Sequence, residues 1–247
     1  MSSTTPNPPQ TSLTERRKAE TRMEIARAAA GLFVRHGLRA TRAEDIAQAA
    51  GIAPRTFYRY FATKEEAVAP LYAAGAQRWV AAVRTAPADA SVLQALEQGV
   101  RHTLTPGAGV SASSWEWVRT LLRLAEANPS LRRVWAEVCQ ASERSLAEVL
   151  AARLTAGSTG TGTRSTTGPD NVAASSPAPV LSPSHLRFAA AVASAAVRAA
   201  VEGWATAAGD VPADGPEGPA ELALRNLGVL RDFPWESRRL DDGRSRR

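Results

Sequence analysis

Residues 41–61 read TRAEDIAQAAGIAPRTFYRYF, a pattern that predicts two short helices joined by a glycine turn. Thr41 and Glu44 have the spacing of a capping box, so the first helix is expected to start there and to end at Gly51. Pro54 suits the first turn of the second helix. That second helix is rich in Arg and Tyr, a composition typical of a helix that lies in the major groove of DNA.

A third helix is predicted ahead of this pair, beginning near Glu15. Ile25, Ala29 and Phe33 recur at helical spacing, and the run stops at Gly37, a residue that suits the left-handed position after a helix end. The three helices together predict one small bundle.

The net charge of the chain is concentrated in the same region. The chain has 30 Lys and Arg against 24 Asp and Glu, a formal net charge of +6. Residues 15–64 hold eleven of these basic residues and five of the acidic ones, so this segment carries the whole surplus. A confined basic surplus is typical of a surface that neutralises phosphates and releases counterions.

Residues 18–72 resemble the DNA-binding domain of the TetR family of transcriptional regulators. The resemblance implies an all-α fold, in which an N-terminal three-helix bundle with a helix-turn-helix precedes a larger C-terminal helical domain for ligand binding and dimerisation. The positions that carry the resemblance are Phe33, Gly37, Thr41, Ile46, Ala47, Ala50, Gly51, Thr56, Phe57, Tyr58, Tyr60, Phe61, Lys64 and Glu65.

The resemblance also implies which side chains contact double-stranded DNA. Three positions depart from the family pattern: Arg42 stands where a second Thr is frequent, Ala53 where Ser often caps the recognition helix, and Arg55 where Gly is common. Loss of the cap oxygen is expected to cost about 1 kcal/mol, and Arg55 to alter base preference. The predicted phosphate contacts are Thr41, Tyr58, Tyr60 and Lys64, the predicted base contacts are Arg55, Thr56 and Arg59, and Arg42 completes the set.

A helix rich in Arg and Tyr could also be an ordinary solvated surface. The capping box, the glycine turn, the proline start and the confined charge occur together here, and this combination favours the DNA interpretation.

Composition divides the chain into segments. Residues 1–14 are polar and Pro-rich and are expected to be disordered. Residues 15–64 are predicted to form the DNA-binding domain, and residues 65–231 the effector-binding and dimerisation domain. Within the latter, residues 155–183 are dominated by Gly, Ser, Thr, Pro and Ala, which predicts a flexible loop. Residues 232–247 are expected to be a loose charged tail.

The resemblance implies an effector pocket in the larger domain. The segment LLRLAEANPSLR, from Leu121, is similar to a TetR branch whose effectors resemble acyl-coenzyme A, and Arg119 or Arg123 would then meet an anionic group. The alternative is that aromatic residues at helical spacing only fill the core. The predicted lining is Trp79, Trp115, Arg119, Leu122, Arg123 and Trp135.

Two helices near the carboxy terminus are the predicted dimer surface. Residues 186–208 are unusually rich in Ala, whose small side chain allows close approach, and residues 217–230 form the second helix. A two-fold homodimer would present two recognition helices to a palindrome. The alternative for this segment is a core helix in a monomer.

Other functional classes find little support in the sequence. Cys139 is the single Cys, and the three His residues are scattered, so neither a disulfide pair nor a metal-ligand spacing is present. Cys139 is more simply a packing residue than a redox sensor. No nucleophile, base and orienting group can be grouped, so we expect no enzyme activity and no cofactor.

The leading hypothesis is a ligand-responsive transcriptional regulator, expected to be a repressor that binds a palindromic operator as a homodimer. A small hydrophobic or acyl-CoA-like effector of unknown identity is expected to release it from DNA. No signal peptide and no membrane span are apparent, so a cytoplasmic location is expected. The rival hypothesis is a DNA-organising protein with little sequence specificity and no effector.

Overall fold

The structure, a computed structural model, describes residues 12–107, 112–159, 182–233 and 235. Within these ranges the chain forms helices and no β-strand, which confirms the all-α prediction. The predicted disordered start up to residue 11, most of the predicted loop and residues 236–247 lie outside the described residues. The α-helices are α1 Leu13–Ala40, α2 Ala43–Ala49, α3 Pro54–Tyr60, α4 Ala69–Thr85, α5 Val92–Leu104, α6 Ala112–Ala127, α7 Pro129–Thr159, α8 Pro183–Thr206 and α9 Pro219–Leu227, with 3-10 turns at Glu66–Val68 and Gly228–Leu230.

The chain forms two compact units, which we call the head and the body. The head consists of Met1–Ala74 and Leu124–Trp135, and the body of Gly75–Arg123 and Ala136–Arg247. The head therefore contains the first turns of α4 and a segment far along the chain, in addition to the predicted helical bundle.

The core of the head is built by α1, α2 and α3. Ile25 and Phe33 of α1, Ile46 of α2 and Phe57 of α3 are all fully or almost fully buried. Phe61, directly after α3, is buried as well, so both phenylalanines of the recognition segment face inward as predicted. Burying these apolar groups is the main favourable contribution to the stability of the bundle.

Two glycines with positive φ interrupt or follow helices of the head: Gly37, the predicted end of the first helix, is a non-helical kink within α1, and Gly51 follows α2. Gly37 has φ 78° and Gly51 has φ 67°, a region that side chains with a Cβ rarely adopt. The turn between α2 and α3 therefore depends on Gly51. Helix α1 starts slightly ahead of Glu15, at Leu13, because the Ser12 hydroxyl accepts a hydrogen bond from the Glu15 N–H at 3.2 Å.

The predicted capping box of α2 is wrong by one residue. The Thr41 hydroxyl donates to the Gly37 carbonyl at 2.9 Å and so does not cap the helix. Instead the Asp45 carboxylate accepts from the backbone N–H of Arg42 at 2.8 Å, and α2 begins at Ala43. The sequence contains two candidate pairs at capping spacing, Thr41 with Glu44 and Arg42 with Asp45. Because the Thr41 hydroxyl bonds to the Gly37 carbonyl, the second pair caps the helix.

In the core of the body, α9 packs against both α8 and α5. Leu96 of α5, Ala193 of α8 and Leu227 of α9 are fully buried. Asn226 Nδ2 donates to the carbonyl of Ala196 at 3.0 Å and fastens α9 to α8. Small alanine side chains on α8 allow this close approach of the two helices.

An arginine of α7 holds the segment between α4 and α5. Arg153 Nη1 donates to the carbonyl of Ala86 at 2.8 Å, and its Nη2 donates to Pro87 at 2.7 Å and to Ala90 at 3.1 Å. A longer bond of 3.4 Å reaches the carbonyl of Val83. One guanidinium therefore satisfies several carbonyls that a helix end leaves without partners.

The boundaries of the predicted loop and tail differ from the structure. Helix α7 continues to Thr159, so the first residues of the predicted 155–183 loop are helical. Beyond α9, the ring of Phe233 stacks on Phe188 of α8 at 6.0 Å, and Trp235 packs on Phe233 at 4.6 Å. The start of the predicted loose tail therefore packs on the body, because it contains aromatic groups that gain by leaving water.

Candidate functional site

Helix α3 has a buried aromatic side and an exposed polar side. Phe57 is fully buried, and its ring packs edge-on against Tyr58 at 5.4 Å. Arg55, Tyr58 and Arg59 are exposed. Pro54 occupies the first turn, and Ala53 precedes it without a side-chain hydrogen bond, as predicted for this position. The helix thus presents basic and phenolic groups to solvent from a fixed hydrophobic base.

The two exposed arginines of α3 have unused hydrogen-bonding capacity. Neither Arg55 nor Arg59 makes a side-chain hydrogen bond or an ion pair with another described residue. The guanidinium of Arg59 lies 5.5 Å from the centroid of the Tyr60 ring. Residues four apart share a helix face, and a guanidinium can bind the edge of guanine through two hydrogen bonds. This face of α3 can therefore read base edges.

An acidic residue of α2 holds two of the predicted DNA contacts. Arg42 Nε lies 3.5 Å from the Glu44 carboxylate, and the Tyr58 hydroxyl donates to the same carboxylate at 3.4 Å. The side chains of Arg42 and Glu44 are both largely exposed. Exposed ion pairs contribute little stability, so a phosphate could replace Glu44 as the partner of Arg42 and Tyr58.

Thr41 and Lys64 have structural partners inside the head. Thr41 is only 2% exposed, so its side chain does not reach the surface where a phosphate contact was expected. Lys64 Nζ donates to the carbonyl of Leu38 at 2.7 Å and to that of Thr41 at 2.8 Å. An ammonium has three N–H donors, and two of them are occupied here. Lys64 therefore fastens the turn after α1.

Thr56 and Tyr60 of α3 are half-buried. The backbone of Tyr60 is bound by Arg22, a residue that the sequence analysis did not predict. Arg22 of α1 donates from Nη1 to the backbone carbonyl of Tyr60 at 3.2 Å. Its guanidinium also lies 4.7 Å from the centroid of the Phe61 ring. Arg22 closes the C-terminal end of α3, a contact between residues far apart in sequence that no local pattern indicates.

The predicted effector residues fall in both units. Trp79, Trp115 and Leu122 are buried in the body, where Trp115 packs edge-on against Trp204 at 5.5 Å. Trp135 belongs to the head and packs edge-on against Tyr72 at 5.1 Å. Each of the three tryptophans of the predicted set therefore has the burial or ring contact of a core residue.

Arg123 contacts the last turn of α8, and Arg119 contacts the chain that follows α8. Arg119 donates from Nη2 to the carbonyl of Gly209 at 2.9 Å and from Nη1 to the carboxylate of Asp210 at 3.0 Å. Arg123 Nε donates to the carbonyl of Ala205 at 2.7 Å. Both Nη groups of Arg119 therefore have partners at the end of α8, whereas Arg123 is exposed and, among the described residues, uses only its Nε N–H.

The body contains buried polar atoms without a partner. The indole N–H groups of Trp79 and Trp115 and the hydroxyl of Thr103 make no hydrogen bond among the described residues. An unpaired buried donor costs about 1–3 kcal/mol, and native cores contain few of them. A bound molecule with acceptor atoms would remove this cost.

Cys139 is a poor candidate for redox chemistry. Burial raises the pKa of its thiol to about 12, with a smaller opposing contribution from Arg198. The reactive thiolate is therefore disfavoured at neutral pH. The described residues include no group of three or more His, Cys, Asp or Glu that could hold a metal ion. None of the described helices combines the length and the apolar character that crossing a membrane requires.

The chain resembles known transcriptional regulators in sequence. Residues 25–69 match the family described as bacterial regulatory proteins, tetR family. The chain is 34% identical over 154 residues to the HTH-type transcriptional regulator TcmR of Streptomyces glaucescens. That alignment covers 60% of this chain and 66% of TcmR. The family match coincides with the part of the head that contains α2 and α3.

Solved structures with similar folds are more distant in sequence. A putative TetR-family regulator from Rhodococcus sp. is 18% identical with a TM-score of 0.49, covering 85% of this chain and 98% of that chain. FadR of Thermus thermophilus, a TetR-family repressor solved with lauroyl-CoA, is 21% identical with a TM-score of 0.48, covering 85% and 92%. At such low identity neither a ligand nor an operator sequence carries over.

Proposed function

Because the chain belongs to the TetR family of bacterial transcriptional regulators, we propose that it is a ligand-responsive repressor that binds a palindromic operator as a homodimer. The observation that carries the proposal is the exposed face of α3, where Arg55 and Arg59 have no competing partner. These arginines read base edges in the major groove, and Thr56 lies between them on the same helix.

Phosphate contacts position the recognition helix on the duplex. We assign them to Arg42, Tyr58 and Tyr60, with the remaining N–H of Lys64 as a further donor. Glu44 holds Arg42 and Tyr58 while the protein is free. Glu44 thus arranges the two side chains before the duplex binds, and on binding a phosphate takes the place of its carboxylate. Such contacts fix register and orientation and carry no sequence information.

The dimer surface is proposed on α8 together with the 3-10 turn after α9. One side of α8 packs against α9, and the opposite side remains outside the core of its own body. Phe188 is 57% exposed and Val229 is 71% exposed, values that are high for large apolar groups. This exposed face supports a homodimer over the alternative of a monomer core helix. Its other members on α8 are Val192, Ala195, Ala199 and Gly203.

The proposed effector binds inside the body and lowers the affinity for DNA. Support comes from the unpaired donors of Trp79, Trp115 and Thr103. Of the two effector classes predicted from sequence, the hydrophobic one agrees better with Arg119, whose two Nη groups already have partners. An effector shifts the equilibrium only through a higher affinity for the conformation that does not fit the operator. Helix α4 runs from the head into the body and is the proposed link between them.

The experiment that tests the proposal is capture of genomic DNA fragments by the purified protein at near-physiological salt, followed by sequencing. We expect a few sites that share a palindrome with half-sites about one duplex turn apart. Light scattering on the same preparation should give the mass of a dimer. Scattered fragments without a shared motif, released by modest salt, would support the DNA-organising rival.

A further inference from the structure

Two unpaired donors of the body lie on helices α4 and α5. Trp79 of α4 and Thr103 of α5 are each 5% exposed. Neither the indole N–H nor the hydroxyl has a hydrogen-bond partner among the described residues. An indole N–H can only donate, and a hydroxyl can donate as well. Both groups are therefore suited to an acceptor oxygen.

The two donors lie at the same contact between the helices. Gly99 of α5 faces Trp79 so closely that a Cβ at this glycine would lie 3.3 Å from the indole nitrogen and 2.8 Å from a methyl group of Val83. Thr103 follows Gly99 by four residues and so lies one turn further along the same face of α5. The Trp79 indole of α4 therefore contacts one turn of this α5 face, and the Thr103 hydroxyl lies on the next turn.

The hydroxyl of Thr103 does not bond to its own helix. Helical threonines commonly donate to the carbonyl four residues earlier, and other threonines of the body do so. Thr85 donates to Ala81 at 3.0 Å, and Thr120 donates to Glu116 at 2.9 Å. Because Thr103 lacks this bond, its hydroxyl is available to a molecule bound in the core.

The buried cation of the body is already paired with a carboxylate. Among the described residues, Arg119 is the charged side chain that is buried, and it forms an ion pair with Asp210 at 3.0 Å. Its two Nη groups donate to Gly209 and Asp210, whereas its Nε is buried without a partner among the described residues. Burying an anion without a charge partner is strongly unfavourable. A ligand that enters this core therefore gains by being uncharged.

We propose that the effector is an uncharged, largely apolar molecule with an acceptor oxygen, such as a ketone, that is bound by Trp79 Nε1 and Thr103 Oγ1. The inference rests on the proposed ligand response of the body and specifies the chemical class that the body binds. The Trp79 ring and Val83 lie at the same contact with Gly99, so an apolar remainder of the molecule, such as a ring, suits these neighbours.

The first test uses the free protein. Thr103→Val removes the hydroxyl and keeps the shape, so the melting temperature should stay the same or rise, since an unpaired polar group is removed. Thr120→Val is the matched control, because that hydroxyl has a partner. A larger fall for Thr103→Val than for the control would show that the Thr103 hydroxyl is already bonded in the folded protein, which overturns the proposal.

The second test measures ligand binding by titration calorimetry with defined probes. A series of uncharged aromatic ketones of increasing ring number, acetophenone, 9-fluorenone and xanthone, is compared with lauroyl-CoA as the anionic probe. We expect saturable binding of at least one ketone, weakened about tenfold in Thr103→Val and in Trp79→Phe and unchanged in Thr120→Val. Binding of lauroyl-CoA alone, of no probe, or of a ketone equally to all variants would overturn the proposal.

Measuring whether the ketone releases DNA distinguishes a failure of the ketone site from a failure of the proposed ligand response. The captured operator duplex is titrated with wild type and Thr103→Val, each with and without the bound ketone. Equal DNA affinity of the free proteins, with ketone-induced release lost in the variant, supports both. Ketone binding that depends on Thr103 but leaves DNA affinity unchanged would support the binding inference and contradict the proposed ligand response.

Discussion

The arginines of α3 in the head extend into solvent, whereas Arg119 of α6 and Arg153 of α7 in the body end on backbone carbonyls. Arg55 and Arg59 have no hydrogen-bond partner among the described residues. Arg119 and Arg153 each bind two or more backbone carbonyls. The same side chain type thus stays available to an outside partner in the head and supports the fold in the body. What differs is whether unpaired carbonyls are within reach of the guanidinium.

The comparison predicts that the largest loss of stability comes from Arg153. Arg153→Ala removes the side-chain donor of the carbonyls of residues 86, 87 and 90, of which Pro87 keeps the N–H of Ala90, so we expect the free energy of unfolding to fall by about 2–3 kcal/mol. Urea denaturation followed by circular dichroism measures it. The control is Arg144→Ala on the exposed side of the same helix. Equal stability of the two variants would mean that Arg153 contributes no more to stability than an exposed arginine does, which contradicts the comparison.

The opposite behaviour is predicted for Arg55. Arg55→Ala should leave the free energy of unfolding within about 0.5 kcal/mol of wild type, because the side chain has no internal partner. Its operator affinity should fall by about 1–3 kcal/mol and its base preference should relax. Fluorescence anisotropy with operator and single-base variants of it measures both. A variant that unfolds more easily yet binds the operator normally would place Arg55 among the supporting arginines.

Lys64 has internal partners like the body arginines and is also a predicted phosphate contact, so its substitution tests both roles in one residue. Lys64→Ala removes the donor to the carbonyls of Leu38 and Thr41, and the head should lose about 1–2 kcal/mol of stability. If its third N–H meets a phosphate, affinity for all duplexes falls alike and the salt dependence becomes shallower by about one contact. Binding measured over a series of salt concentrations well below the unfolding temperature tests this. An unchanged salt slope with reduced stability would leave Lys64 only its structural task.

The smallest effect is predicted for a gain at the start of α3. Ala53 precedes the helix in extended conformation without a side-chain bond, so Ala53→Ser adds an acceptor for the first N–H groups. We expect the head to gain about 0.5–1 kcal/mol. Thermal unfolding of this variant is compared with Ala62→Ser, which lies beyond the helix. No gain over that control would mean that the first N–H groups of α3 are already satisfied.

Local signals were sufficient to predict most of the head. Gly51 ends α2, Pro54 begins α3, and Phe57 faces inward, each because backbone conformation or helical periodicity acts over a few residues. The cap of α2 was misplaced because Thr41 bonds to the preceding Gly37 carbonyl, a contact that competes with capping.

The body could be predicted only as helices, since the tasks of its polar side chains depend on distant partners. Arg119 pairs with Asp210 at a separation of 91 residues, and Arg123 reaches a carbonyl 82 residues away. No spacing in the sequence identifies such partners. The same limit hid Arg22, which closes α3 from 38 residues earlier in the chain.

The shortness of α3 has a genetic consequence. Seven residues without a side-chain cap cannot hold a helix in water by themselves, so the recognition surface exists only while Phe57 is packed in the head. A screen for mutants that no longer bind DNA should therefore recover substitutions of buried residues such as Ile25 and Ile46 alongside those of Arg55. Alleles that look like lost operator contacts would in many cases be temperature-sensitive folding defects.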